Sequence, residues 1–345
     1  MKSTKRTMAF TAATLMAVAI PAAADGELNI YNWGNYTNPD LIDKFEDETG
    51  IDVTLTDYDS NDTALARIRQ GGHGYDIVVP SNSYVPIWIE EGLVQKIDRD
   101  IVTNMDNIAD RWVDVDFDPG REYTVPWAWG TTGVTVNTSV YDGNPHSADI
   151  FLDPPDELKG KVNVVPEMGD IMHMAVRSAG GEPCTGDREI LREVRDTLME
   201  AKPHWRAMDY GTVDSYAEGD IAAGVNWNGS SMRSRLQNPD IVYGYPQSGY
   251  PVWMDNVAVL ADAGNRDEAM RFVNFILEPE NAAMISNFAR YANGVKGSRE
   301  YLDEVMREAP EINIPEELAD AGRFSVTCPS EVNDIYTQIW TELLQ

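Results

Sequence analysis

Cysteine and histidine are scarce in this chain: 345 residues hold two of the first and four of the second. His73, His146, His173 and His204 show no ligand spacing among themselves, and neither cysteine has a histidine near it, so no metal site is expected. Basic residues are also few, 27 against 57 acids, for a net charge of -30. Such a chain repels nucleic acid and anionic lipid and attracts cations. Most of the acid is solvated surface, and only carboxylates beside aromatics in turns bear on function. Catalytic signatures are missing too, with no Gly-x-Ser-x-Gly, His-Glu-x-x-His or phosphate-binding loop. No enzyme activity and no cofactor are expected.

Long apolar runs are absent after Met8 to Ile20, so no later segment offers a membrane span. That one run follows Lys2, Lys5 and Arg6 and ends in Pro21-Ala22-Ala23-Ala24. Basic, apolar and small-residue regions in this order predict a secretory signal peptide over 1–24, with Asp25 as the mature N-terminus. The mature net charge is then -33, because the three basic residues of the leader are lost. In an oxidising compartment Cys184 and Cys328 suit one disulfide closing a long loop.

About 320 residues exceed what one core normally serves, which predicts two domains. Leu28 and Ile30 open a strand, and Asn38-Pro39 reads as N-cap and first residue of a helix stopped at Gly50. Between them Trp33, Asn35 and Tyr36 occupy a βα turn, where open α/β sheets bind ligands. Ile51–Leu55 alternates as a half-buried strand, a helix follows over Thr63–Gln70, and Tyr75–Pro80 suits a strand buried on both faces. Ser81 and Ser83 open the next helix and serve equally as caps or as ligand hydrogen-bonders. Strand, helix, strand, helix, strand is a doubly wound parallel unit.

Tyr123–Asn137, rich in Gly and Thr, predicts an extended crossover between lobes, and a second unit starts near Ala148. After strand Val162–Val165, Glu167 and Asp170 sit three apart on one helical turn, as dipole complements or as acids aimed into a crevice. Side by side, they do not straddle a sugar as glycoside hydrolysis requires. Helices are read over Asp187–Ala201, Arg206–Tyr210 and Asp214–Glu218. A strand over 221–229 delivers Trp227 to a turn, and Tyr250–Val259 places Trp253 and Asp255 on one side of an extended segment. Helices Asp267–Leu277 and Pro279–Ala289 follow, then Tyr291.

These segments resemble the periplasmic polyamine-binding proteins, the spermidine/putrescine receptors of ATP-driven importers. The likeness rests on Tyr31-Asn32-Trp33-x-x-Tyr36, Glu48-Thr49-Gly50-Ile51, Tyr75 to Ser81, Glu91 to Asp98, Trp227-Asn228-Gly229 and Trp253-Met254-Asp255. It spans essentially the whole mature chain. The resemblance implies a periplasmic binding protein of type II, a Venus-flytrap of two doubly wound α/β lobes joined by a hinge. Lobe 1 would take 25–130 plus 255–300, and lobe 2 would take 131–254 plus 301–345. It further implies that Trp33, Tyr36, Trp227 and Trp253 sandwich the ligand's methylenes. Asp255 would pair with an ammonium, Glu167 and Asp170 would hold the other end, and Tyr291 and Ser81 would lie beside it. Family patterns are broken at Asn35, often acidic in relatives; at Ser230, an acid in putrescine receptors; and at Asp209, a Ser in relatives and here a possible new acid. The implied partners are a polyamine and, transiently, an inner-membrane ABC permease, with no nucleic acid and a monomeric receptor.

Overall fold

The structure is a computed structural model that describes residues 26–345. The leader expected over 1–24 lies outside the described residues.

Among the described residues ten strands form one mixed sheet: β1 (Gly26–Trp33), β2 (Ile51–Tyr58), β3 (Ile77–Val78), β4 (Thr124–Asn137), β5 (Val162–Val164), β6 (Trp205–Met208), β7 (Ala223–Trp227), β8 (Ile241–Gly244), β9 (Tyr250–Val259) and β10 (Gly322–Phe324). The order is β2-β1-β3-β9-β4-β7-β5-β6, with β8 on β4 and β10 on β9. β1 runs parallel to β2 and β3, and β5 runs parallel to β6 and β7. Between these parallel units lie the long antiparallel strands β4 and β9. Thr124–Thr131 of β4 pair with β9, whereas Thr132–Val136 pair with β7. One strand therefore serves two units, changing partner at Thr131/Thr132.

Two apolar cores lie on either side of that change. The first gathers Leu28, Leu41, Phe45, Trp127, Met254 and Phe272 among others, and the second Val134, Phe151, Val164, Met172, Leu198 and Val225. Local chemistry explains the elements. Asn38 accepts from the Asp40 N–H (3.0 Å), Pro39 needs no donor partner at its position, and Gly50 closes the helix Pro39–Thr49 with φ 71°, which glycine adopts without steric cost. The buried face of that helix, Leu41, Ile42 and Phe45, joins the first core, with Phe45 edge-on to Phe272 and Phe275, each side chain contributing about 1.5–3 kcal/mol by burial.

The C-terminal helix Ser330–Leu344 inserts Val332, Tyr336, Ile339 and Leu343 into the second core. Cys184 and Cys328 are joined by a disulfide across a sequence separation of 144. One reading needs correction. Arg206–Tyr210, where the sequence predicts a helix, forms the rest of β6 after Trp205 and the bend that follows. An open parallel edge at β5 recruits this segment, and edge pairing outweighs its mixed propensity.

Candidate ligand-binding site

The antiparallel strand β9 carries Asp255 to the carboxyl end of β3, where it bridges to Ser81. Ser81 Oγ donates to Asp255 Oδ1 (2.6 Å) and Tyr36 Oη donates to Oδ2 (2.9 Å). Ser81 is itself held by Asn61, which accepts from its N–H (3.0 Å) and donates to its hydroxyl (3.1 Å). Asp255 is buried, and that burial pushes its carboxyl up to about 7 despite the two hydrogen bonds, with Asp170 adding to the rise. Among the described residues no basic nitrogen lies within 4.0 Å of it. A buried acid without a cation is costly unless something else supplies the charge.

Two more acids reach the same space from the second core. Asp170 stands in the first turn of the helix Met168–Ser178, where Thr132 Oγ1 (2.6 Å) and Trp227 Nε1 (3.3 Å) donate to its Oδ2. Burial lifts its carboxyl to about 6. Glu167, the residue before that helix, accepts from Tyr210 Oη (2.9 Å). Its carboxyl is raised to about 8, first by desolvation, then by Asp170, with Asp62 and Asp255 contributing. The same Tyr210 hydroxyl lies 3.3 Å from the Asp59 carbonyl, so it spans from the second unit to the first. Among the described residues neither Glu167 nor Asp170 has a basic nitrogen within 4.0 Å.

Aromatic rings frame these acids. Tyr291 meets Trp253 edge-on at 5.1 Å and Tyr36 at 5.6 Å, while Tyr210 stacks on Trp227 at 5.8 Å. Trp33 leans on Tyr58 at 4.7 Å and donates its Nε1–H to the Val79 carbonyl. Two glycines make room for the rings. A Cβ on Gly130 would lie 2.6 Å from Trp253, and one on Gly229 would lie 2.5 Å from Tyr291. Aromatic faces cover methylenes and attract cations, at about 0.5–2 kcal/mol per cation–π contact.

The structure thus brings Tyr36, Ser81, Glu167, Asp170, Trp227, Trp253, Asp255 and Tyr291 into one neighbourhood, with Trp33 at its edge. It does not bring in Asp209, which is exposed and closes a turn by accepting from the Gly211 N–H (2.8 Å). Two acids of one helical turn already occupy that side, and the turn directs Tyr210 there instead. Asn35 is exposed, with a left-handed backbone (φ 62°), and lines a neighbouring crevice rather than the acid cluster. Thr132, Asn61 and Tyr210 were not singled out from sequence. Thr132 had a signal, its place in the Gly130-Thr131-Thr132-Gly133 crossover, whereas Tyr210 had only its adjacency to Asp209. Among the described residues no cluster of His, Cys, Asp and Glu is arranged to hold a metal ion, and no helix is long and apolar enough to cross a membrane.

Comparison with known proteins points the same way. Residues 40–313 match the family described as bacterial extracellular solute-binding protein. The spermidine/putrescine-binding periplasmic protein of Escherichia coli (strain K12) is 32% identical over 87% of this chain and 87% of its own. A putrescine-binding periplasmic protein of Pseudomonas aeruginosa (strain UCBPP-PA14) is 29% identical over 98% of this chain and 97% of its own. The spermidine/putrescine ABC transporter substrate-binding protein of Streptococcus pneumoniae superposes with a TM-score of 0.80 at 26% identity, covering 92% of this chain and 98% of that one.

Proposed function

The chain belongs to the bacterial extracellular solute-binding proteins, and from that premise we propose that it captures a polyamine of the putrescine/spermidine class in the periplasm and delivers it to an ABC permease. The observation that carries this reading is a set of three carboxyls, Asp255 buried and Asp170 and Glu167 half-buried, raised together and without a basic partner among the described residues, inside an aromatic frame. A polyamine is ammonium groups joined by methylenes. Its charges supply what the carboxylates lack, and its methylenes lie against Trp227, Trp253 and Tyr291. Because Asp255 belongs to the first core's side and Glu167 and Asp170 to the second, one ligand bridging them favours the closed arrangement by differential affinity. In this reading the two lobes are 25–130 plus 255–300 and 131–254 plus 301–345, and Tyr210 reaching Asp59 is part of the closure.

Calorimetric titration of ligand-stripped protein with putrescine, cadaverine, spermidine and spermine tests the reading. One-to-one binding of at least one is expected. Absence of binding to all four refutes it.

The raised carboxyls set the pH dependence. Neutral at low pH, they leave an ammonium unpaired. Ionised, they attract it. Affinity is therefore expected to climb from pH 6 to pH 8 and then level, with protons released on binding at pH 7. Stability of the ligand-free protein runs the other way, since groups raised on folding contribute fully below the ordinary carboxylate range and lose that contribution as pH rises from there to the raised values of about 6 to 8. Titrations in buffers of different ionisation enthalpy, with melting curves alongside, read both trends. A flat affinity between pH 6 and 8 contradicts the linkage.

A further inference from the structure

Beside the acid cluster, with Trp227 in its wall, opens a crevice of about 650 Å³. Its walls come from both units: Asn35 and Arg290 on one side, and the 210–212 turn, the start of the helix Val213–Ala217 and the helix Asn228–Gln237 on the other. The helix presents Arg233, four residues after Gly229, into this space.

Twelve of the 18 arginines of the described residues have no carboxylate within 4.0 Å, and of those twelve only Arg233 has a buried guanidinium nitrogen without an acceptor. Arg69, Arg177, Arg195, Arg235, Arg266 and Arg290 each lie against a carboxylate. Among the described residues Arg233 has no carboxylate within 4.0 Å. One of its Nη atoms donates to Ser230 Oγ at 3.2 Å, and its buried Nε–H has no acceptor. A guanidinium has five donors in a fork that matches a carboxylate, and a buried donor left unpaired is costly. Arg290, the second cation of the crevice, is engaged by Asp303 at 3.1 Å. Asp214, the carboxylate that also lines it, accepts from Gln237 Nε2 at 3.1 Å. Arg233 is also near the site. Ser230 Oγ stands 3.5 Å from Tyr291 Oη, and the phenol, raised by burial, is drawn down by the Arg233 charge.

An ammonium at this end would meet a cation, and a carboxylate would meet an open fork. We propose that Arg233 forms a carboxylate seat at one end of the amine site, so that the preferred ligand is a polyamine carrying a carboxylate at one end. The proposal rests on the amine reading above and narrows its ligand class. The ammonium groups lie with Asp255, Asp170 and Glu167, and the carboxylate reaches past Trp227 to Arg233. Polarity is then read at both ends, which excludes ligands of the wrong charge order more than it adds affinity.

The test is a matched pair. N-(2-Carboxyethyl)putrescine and spermidine share the putrescine part and differ in ending a short arm with a carboxylate or an ammonium. Titrated at pH 8 into the full mature protein, the carboxylated compound is expected to bind at least tenfold tighter, in line with a charge-assisted bidentate pair. Arg233→Met is expected to reduce that ratio to about one or reverse it, and Arg233→Lys, which keeps a point charge without the fork, to restore part of it. Melting curves for both variants separate loss of fold from loss of the seat, and the Lys variant carries the comparison where the Met variant does not fold. Spermidine binding as tightly as the carboxylated compound, or a ratio indifferent to Arg233, overturns this proposal while leaving the amine reading intact. Failure of both compounds, and of putrescine, to bind overturns the amine reading and this one with it.

Discussion

Replacing Asp255 with Asn is expected to weaken polyamine binding by about 2–5 kcal/mol, which is a loss of roughly 30-fold to several thousand-fold. The residue is buried between Ser81 and Tyr36, both donating to it, and no basic side chain of the described residues lies within 4.0 Å. An ammonium brought there in the variant is desolvated without a counter-charge, and that cost dominates the loss. The hydroxyls of Ser81 and Tyr36 can turn to accept from or donate to the Asn amide, so the local hydrogen bonds survive. The ligand-free variant is expected to be as stable as the parent or more so above pH 7, where the parent holds a buried anion lifted to about 7 from the ordinary aspartate range. Opposite signs for affinity and stability mark loss of a binding charge rather than damage to the fold. Calorimetry with the tightest polyamine and melting at pH 8 give both. An unchanged affinity removes Asp255 from the site.

The second large effect concerns the disulfide. Changing Cys184 and Cys328 together to Ser is expected to lower unfolding free energy by about 2–5 kcal/mol; for a loop this long the chain-entropy model gives about 5 kcal/mol, the upper end. The cross-link ties the loop after the helix Met168–Ser178 to the start of the helix Ser330–Leu344. Without it the C-terminal helix is held to the second core by Val332, Tyr336, Ile339 and Leu343, with Ile335 and Trp340 beside them and an ion pair from Glu342 to Arg195. Neither cysteine touches the acid cluster. Denaturant midpoints of the double variant against the parent measure the loss, and a change under 1 kcal/mol contradicts it. Polyamine affinity is expected to change by less than about twofold, because stability is reduced without moving Asp255, Glu167 or Asp170.

Much of the fold was legible because its cues are local. Asn38-Pro39 and Gly50 mark the ends of one helix within a few residues, and an unbroken apolar run marks the buried strand around Ile77 and Val78. β4 and β9 were legible as extended segments, and their role as shared central strands was not. Nothing in Thr124–Asn137 says that one half pairs with β9 and the other with β7, since that depends on partners more than 80 residues away. Where reading failed, at 206–210, a distant edge strand decided the conformation.

The site divides in the same manner. Sequence alone determined the kind of chemistry: an excess of acid, tryptophans and tyrosines at strand ends, and a resemblance that marked Asp255, Glu167 and Asp170. Composition and short-range pattern carry such information because charge and ring type belong to the residue itself. Only the tertiary structure decided which acids share one space, that Asp209 is spent on its own turn while Tyr210 takes its place, and that Arg233 faces a crevice beside the acid cluster with no carboxylate of the described residues against it. Those facts depend on burial and on distances between elements far apart in the chain. Desolvation and Coulomb interaction are properties of assembled space, and neither exists until the two units are packed against each other.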